Sequence, residues 1–173
     1  MVCTAFLGEV NEHCWNSINN ICMPSLNMFF ILLDLPDVSK LMNEAKKSEH
    51  NDPNAVALAT SNKNNLPSVR IVLLKDFNQN GFVFYTNLNS QKGNDLKENP
   101  KASMCFHWKS LLRQIRINGS VSQVENEVAD EYYNSRSYES RIGAWASKQS
   151  SELTNRDELI NSIKKYKKTL KNN

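Results

Sequence analysis

Arg70-Ile71-Val72-Leu73-Leu74-Lys75 is a β-rich apolar run with a cation at each end, and Phe84-Tyr85-Thr86-Asn87 begins nine residues after Lys75. Residues 76–81 between them read Asp-Phe-Asn-Gln-Asn-Gly, and the Asn80-Gly81 pair is a strong hairpin signal because both residues tolerate the positive φ of a tight turn. Two paired strands therefore set Arg70, Lys75, Tyr85 and Thr86 near one another, a cradle for an anionic, planar ligand. An ordinary hairpin with solvated basic ends fits the same residues, and these two runs alone do not separate the two readings.

Working outward, Ser90-Gln91-Lys92 opens a stretch that runs to Asn99 and stops at Pro100. Ser90 reads as an N-cap and Pro100 as a helix stop. A helix N-terminus with a capping hydroxyl and a lysine in its first turn suits phosphate, since the free N–H groups and the helix dipole both favour an anion. Residues 55–60, 102–108 and 114–121 add three further short strands, the last with Asn118-Gly119 marking a bulge or bend. Five short strands joined by hairpin turns predict an antiparallel barrel or sandwich. Val38, Leu41, Met42 and Ala45 recur at helical spacing over residues 37–50. Ser122-Gln123-Val124-Glu125 has the form of a capping box ahead of a helix whose core face is Val124, Val128 and Tyr132. Residues 154–157 open a last helix with the stripe Leu159, Ile160, Ile163, Tyr166 and Leu170.

The 173 residues, 40% hydrophobic and 23% charged, suit one globular domain with a core of its own. A net charge of +3 is too small to argue for nucleic acid. It is unevenly spread: residues 1–39 carry Glu9, Glu12, Asp34 and Asp37 with no Lys or Arg, which is −4 and leaves +7 on the remainder. A mildly basic body suits small phosphorylated ligands, and equally suits solubility. Cys3, Cys14, Cys22 and Cys105, with His13, His50 and His107, show no metal-binding spacing, so no metal is expected, and free thiols point to a reducing, cytoplasmic setting. Cys105, in an apolar strand, reads as a buried free thiol. No run approaches the roughly 18–20 apolar residues that cross a bilayer. Residues 1–36 hold three of the four cysteines and no basic residue, and they show no helical or strand period before Leu26; they read as an atypical, disordered leader before a domain over 37–173.

Further polar groups carry possible chemistry. Gln114 and Arg116 lie on the opposite strand face from Ile115 and Ile117. Tyr132, Arg136 and Ser140 are spaced by four and share a face if one helix runs through them; arginine offers a planar fork for phosphate oxygens, tyrosine and serine add hydroxyls. Gln149 and Ser150 fall in the polar loop 147–151, and Trp145 reads as a packing residue. The glycines Gly8, Gly81, Gly93, Gly119 and Gly143 form no phosphate-binding or dinucleotide loop, so ATP and NAD are poorly supported.

Taken in order, these motifs (RIVLLK, FYTN, the Arg113-Gln114 pair, Arg136 to Ser140, and IGAW followed two residues later by KQSS) resemble the pyridoxamine 5′-phosphate oxidase family over about residues 51–170. The resemblance implies a split β-barrel with flanking helices and a homodimer with two FMN sites at its interface. It implies FMN contacts from Arg70, Ile71, Val72, Leu73, Leu74, Lys75, Tyr85, Thr86, Lys92, Gln114, Gln149 and Ser150, and a substrate-phosphate site of Lys75, Tyr132, Arg136 and Ser140. The implied reaction is the oxidation of pyridoxamine or pyridoxine 5′-phosphate to pyridoxal 5′-phosphate, with O2 as acceptor and H2O2 as product, and no residue of the chain is named as a catalytic base. The chain departs from the family's pattern in three places. Gln91 stands where the family usually has arginine, removing one charge-assisted phosphate contact worth about 1.5–3 kcal/mol. The sequence stops at Asn173, before strands that in the family close the barrel and carry a tryptophan and an Arg-x-His element. The family's N-terminal Arg/Tyr segment is not recognisable in residues 1–36. An incomplete chain predicts an unpaired sheet edge, and leaves open the alternative of a catalytically weak FMN- or pyridoxal-phosphate-binding descendant.

Overall fold

The computed structural model describes residues 3–9 (as backbone), 35–78, 80–147, 149–153 and 155–170. Six strands, β1 (Cys3–Glu9), β2 (Ala55–Ser61), β3 (Pro67–Asn78), β4 (Gly81–Asn87), β5 (Lys101–Trp108) and β6 (Arg113–Gln123), form a closed antiparallel barrel in the order β1-β4-β3-β2-β5-β6. The helices are α1 (Leu35–Ser48), α2 (Gln91–Glu98), α3 (Asn126–Ser135), α4 (Tyr138–Ala146) and α5 (Arg156–Leu170), and a single 3-10 turn, Lys109–Leu111, joins β5 to β6.

Alternation decides which side of each strand is buried. Along β2, Val56, Leu58 and Thr60 are buried and their neighbours only partly so. Cross-strand partners share a face, and the register Val56–Val72, Leu58–Arg70 and Thr60–Ser68 puts Arg70 on the same face as the buried Leu58. The outward residues of β3, Val69 and Ile71, are 69% and 66% exposed. One core joins the barrel strands to two helices: Val38, Leu41, Met42 and Ala45 of α1 and Leu96 of α2 pack with Leu58, Phe84, Phe106 and Trp108. Phe84 and Phe106 are almost wholly buried, and removing a phenylalanine of this kind costs about 3–5 kcal/mol.

The strands and the first helix fall within a few residues of their sequence positions, and several local expectations change. First, β1 lies within the segment read as a disordered leader and bridges β4 and β6: Phe6 pairs with Phe84 on one side and with Gln123 on the other. The sheet edge expected to be open is therefore paired among the described strands. Residues 1–2 and 10–34 of that segment lie outside the described residues. Second, the hairpin turn does not centre on Asn80-Gly81. Asn78 pairs with Gly81, so Gly81 starts β4, with a φ of 133° that only glycine adopts without strain. Third, no capping box forms, because pairing with β1 (Leu7–Ser122) draws Ser122 into β6, and α3 starts at Asn126 with no side-chain cap bond. Fourth, the helix through Tyr132, Arg136 and Ser140 is broken. Arg136 is extended (φ −76°, ψ 151°), and Ser137 caps a new helix by accepting from the Ser140 N–H. For α5, Asn155 Oδ1 accepts from the Glu158 N–H at 2.9 Å and sets the start; Thr154 and the Leu170 side chain lie outside the described residues. Cys105 is free but half-buried rather than buried.

Candidate functional site

A cavity of about 740 Å³ opens between the β3–β4 ribbon, the N-terminus of α2, the α3–α4 junction and the loop after α4. From β3 it takes Arg70, Ile71, Val72, Leu73 and Lys75; from β4, Tyr85 and Thr86; from α2, Lys92; from the helical side, Tyr132, Arg136 and Ser140; and from the loop, Gln149 and Ser150. Two of the residues named from sequence are elsewhere. Leu74 points into the core and is 4% exposed, with its backbone bonded to Asn54 on both sides. Gln114 is on β6, paired with His107 of β5, and does not line this cavity. Ser68, Val69 and Ser137 also line it and had no sequence signal beyond their neighbours.

Local structure explains how each group arrives. The β3–β4 register runs Leu74–Phe84 and then Asp76–Val83, so Lys75 is the extra residue of a β-bulge. A bulge re-aims a side chain, and Lys75 enters the cavity while Leu74 stays in the core. Its ammonium lies 5.8 Å from the centroid of the Tyr132 ring. That ring stacks flat on Tyr85, with centroids 3.6 Å apart and planes at 4°. Burial first, then Tyr132, Asp76 and Glu131, push the Tyr85 phenol above its ordinary pKa, so it remains a neutral hydroxyl.

At the other end, Ser90 caps α2. Its Oγ donates to the Asn87 carbonyl at 2.6 Å and accepts from the Gly93 N–H at 3.3 Å. Gly93 permits this approach, since a Cβ there would sit 2.4 Å from the Leu88 carbonyl oxygen. Lys92 is 7% exposed; its Nζ donates to Gln149 Oε1 at 3.0 Å and to Ser90 Oγ at 3.3 Å. That bond ties the loop after α4 to α2 across the chain. Burial, with Arg70 adding repulsion, holds the Lys92 ammonium below its ordinary pKa. A bound anion relieves both costs, because it supplies the missing opposite charge.

The cavity is lined by Arg70, Lys75, Lys92 and Arg136 and by no carboxylate among the described residues. Thr86 Oγ1 is fully buried at its edge with no hydrogen-bond partner among the described residues. Such a group costs free energy until a ligand satisfies it. Polar donors, four cations and two tyrosines together fit a ligand that is planar in one part and anionic in another.

A family profile described as pyridoxamine 5′-phosphate oxidase matches residues 42–169. The chain belongs to the pyridoxamine 5′-phosphate oxidase family. It is 77% identical over 131 residues to the pyridoxine/pyridoxamine 5′-phosphate oxidase of Pelagibacter ubique, across 76% of this chain and 63% of that protein. It is 59% identical over 125 residues to the protein of the same name from Allorhizobium ampelinum, across 72% and 61%. The chain thus spans a little over three-fifths of the length of these relatives. Among solved structures it is similar to PhzG from Burkholderia lata, a complex with tetrahydrophenazine-1-carboxylic acid, at a TM-score of 0.71 and 28% identity, covering 74% of this chain and 63% of that one. It also shares its fold with a pyridoxamine 5′-phosphate oxidase-related, FMN-binding protein from Nostoc punctiforme, at a TM-score of 0.62 and 15% identity over 73% of this chain and 69% of that one. As in that family, the barrel is antiparallel with its helices flanking it. No helix among the described residues is long and apolar enough to cross a membrane.

Proposed function

We propose that this chain is the FMN-binding part of a cytoplasmic pyridoxine/pyridoxamine 5′-phosphate oxidase, with a binding domain made of residues 37–173 together with β1. The observation that carries the proposal is the convergence of four cations at two ends of one cavity whose described lining residues include no carboxylate. One end, Lys92 with the capped start of α2, suits the single terminal phosphate of FMN. Arg70 borders it, Thr86 Oγ1 supplies a hydroxyl still in need of a partner, and Gln149 and Ser150 add polar contacts. The other end, Lys75 with Tyr132, Arg136 and Ser140, suits the phosphate of pyridoxamine or pyridoxine 5′-phosphate. Between them Ile71, Val72 and Leu73 and the stacked pair Tyr85 and Tyr132 offer apolar and aromatic surface for planar rings.

Bound FMN would supply the redox chemistry, a two-electron oxidation at C4′ of the substrate with O2 as final acceptor and H2O2 as product; the alcohol would give pyridoxal 5′-phosphate directly, and the amine would give it after water releases ammonia. The side chains of this chain bind and orient. Lys75 and Arg136 hold substrate phosphate by charge-assisted bonds, and Tyr85 and Thr86 line the wall between the two ends. Because Gln114 lies off the cavity of its own chain, and Val69 and Ile71 present exposed apolar surface beside it, the reading includes a homodimer. In it a second copy covers β3 and brings its own Gln114 to the site.

The test is direct. Flavin released from purified, reconstituted protein is separated by chromatography, peroxide is measured with pyridoxamine 5′-phosphate, and mass is measured by light scattering. FMN, peroxide and a dimer are expected. An FAD peak or no flavin overturns the cofactor; FMN without peroxide favours a binding protein over an oxidase; a monomer with full activity overturns the shared site.

A further inference from the structure

Arg70 borders the cavity, yet most of its guanidinium is turned away from it. Nη1 donates to Thr60 Oγ1 at 2.7 Å, to the Ser68 carbonyl at 3.1 Å and to the Leu58 carbonyl at 3.2 Å; Nη2 donates to Ser68 Oγ at 2.6 Å. Behind the two hydroxyls sits Asp95, midway along α2 and 5% exposed. Its Oδ2 accepts from Thr60 Oγ1 at 2.7 Å and from Ser68 Oγ at 2.9 Å, and lies 3.8 Å from Arg70 Nη2.

Proton bookkeeping fixes the direction of the bonds that link Arg70 to Asp95. A guanidinium can only donate, so both hydroxyls must accept from Arg70. Each hydroxyl then has one hydrogen left, and an ionised carboxylate, which can only accept, takes both. Two parallel relays therefore run from Arg70 to Asp95, one through Thr60 and one through Ser68. Nε and one Nη2 hydrogen stay outside the relays. Burial pulls the pKa of Arg70 down, and the Asp95 charge pulls it back up.

We infer that Asp95 is a positioning residue of the ligand site: through Thr60 and Ser68 it locks the Arg70 guanidinium in one orientation before any ligand arrives, and its charge offsets the crowding of Arg70 against Lys92. It never touches the ligand. Preorganisation of this kind raises affinity by removing the ordering cost from the binding step. The part that concerns FMN rests on the function proposed above; the locking of Arg70 does not.

The experiment has two arms on the full chain. In the ligand-free protein, side-chain 15N NMR follows the Arg70 Nη hydrogens. Slow, resolved signals are expected in the unmodified protein. In Asp95→Asn, which keeps shape and removes charge, they should average and exchange with solvent at least ~10-fold faster. Ser68→Ala, which cuts one relay and leaves the carboxylate, should loosen Nη2 while sparing Nη1, and it decides the matter should Asp95→Asn fail to fold. In the second arm, FMN affinity by fluorescence quenching should fall ~10-fold in Asp95→Asn and recover in part in Asp95→Glu. If Asp95 only docks α2 onto β2, the variants lower the melting temperature and leave the Arg70 signals unchanged, which overturns the inference. Unmodified protein that binds no FMN overturns the cofactor reading alone, because the first arm still decides the role of Asp95.

Discussion

The two sides of the cavity are built differently. On the strand side four polar groups are buried and already bonded: Thr60, Ser90, Lys92 and Asp95 are all at or below 7% exposure, and each has a named partner among its neighbours. On the helical side Ser137 and Ser140 are exposed, Tyr132 and Arg136 are half-buried, and the groups hang from a junction where α3 ends and α4 begins. The first side is set by the barrel and changes only if the barrel does. The second is set by two short helices, α3 lying against β1 and α4 against α5, where Tyr138 Oη donates to the Lys167 carbonyl and Ser162 Oγ to the Ala146 carbonyl. A rigid wall facing an adjustable one suits a permanently held cofactor opposite a substrate that must enter and leave.

Substitutions on the two sides should therefore separate stability from binding. The largest effect is expected at Arg70. Arg70→Ala strands the Asp95 carboxylate in a nearly dry site, and breaking a buried pair from one side costs about 3 kcal/mol. Chemical denaturation should show a loss of that order before any ligand is added; a variant as stable as the parent would mean the strand side is less preorganised than its bonding suggests. Arg136→Ala should behave in the opposite way. Its denaturation midpoint should barely move, while the KM for pyridoxamine 5′-phosphate rises by the equivalent of about 1.5–3 kcal/mol, the range for a hydrogen bond to a charged group. Loss of flavin with KM untouched would put Arg136 on the wrong side of the cavity. The smallest and most diagnostic change is Thr86→Val. The hydroxyl it removes is buried and has no partner among the described residues, so the ligand-free protein should be equally stable or slightly more so. FMN binding should weaken by about 0.5–1.5 kcal/mol, the net contribution of one neutral hydrogen bond. A clear drop in ligand-free melting temperature would show that the hydroxyl has a partner in solution.

This contrast also explains what could be read from the sequence. The β3–β4 ribbon, α1 and α2 were legible because hydrophobic period, cap and stop residues agree locally, and most of the residues named for the strand side do line the cavity. The helical side was half legible. A spacing of four gave the right side chains, but one continuous helix was the wrong backbone, because Ser137 competes as a cap and Arg136 goes extended. Tertiary pairing overrode local signals at Ser122, where a capping box lost to a strand partner. β1 was illegible for the same reason: Cys-Thr-Ala-Phe-Leu-Gly-Glu has weak alternation and small residues, and it becomes a strand through partners far along the chain. Asp95 was missed because a lone aspartate in a short, polar helix looks like any solvated residue; only the fold reveals that it lies against Thr60 and Ser68.

β1 has a kinetic consequence. Its partners are β4, some eighty positions on (Cys3 with Asn87), and β6, well over a hundred positions on (Phe6 with Gln123). Every other strand finds at least one neighbour within a short loop or a single helix. Among the described strands β1 is thus the one that must wait longest, since its second partner exists only once β6 has been synthesised. Contacts so distant in sequence slow folding by the loop entropy they must overcome. Closure of the barrel is accordingly expected to be a late event, in which an early segment returns to a ribbon of five strands already in place.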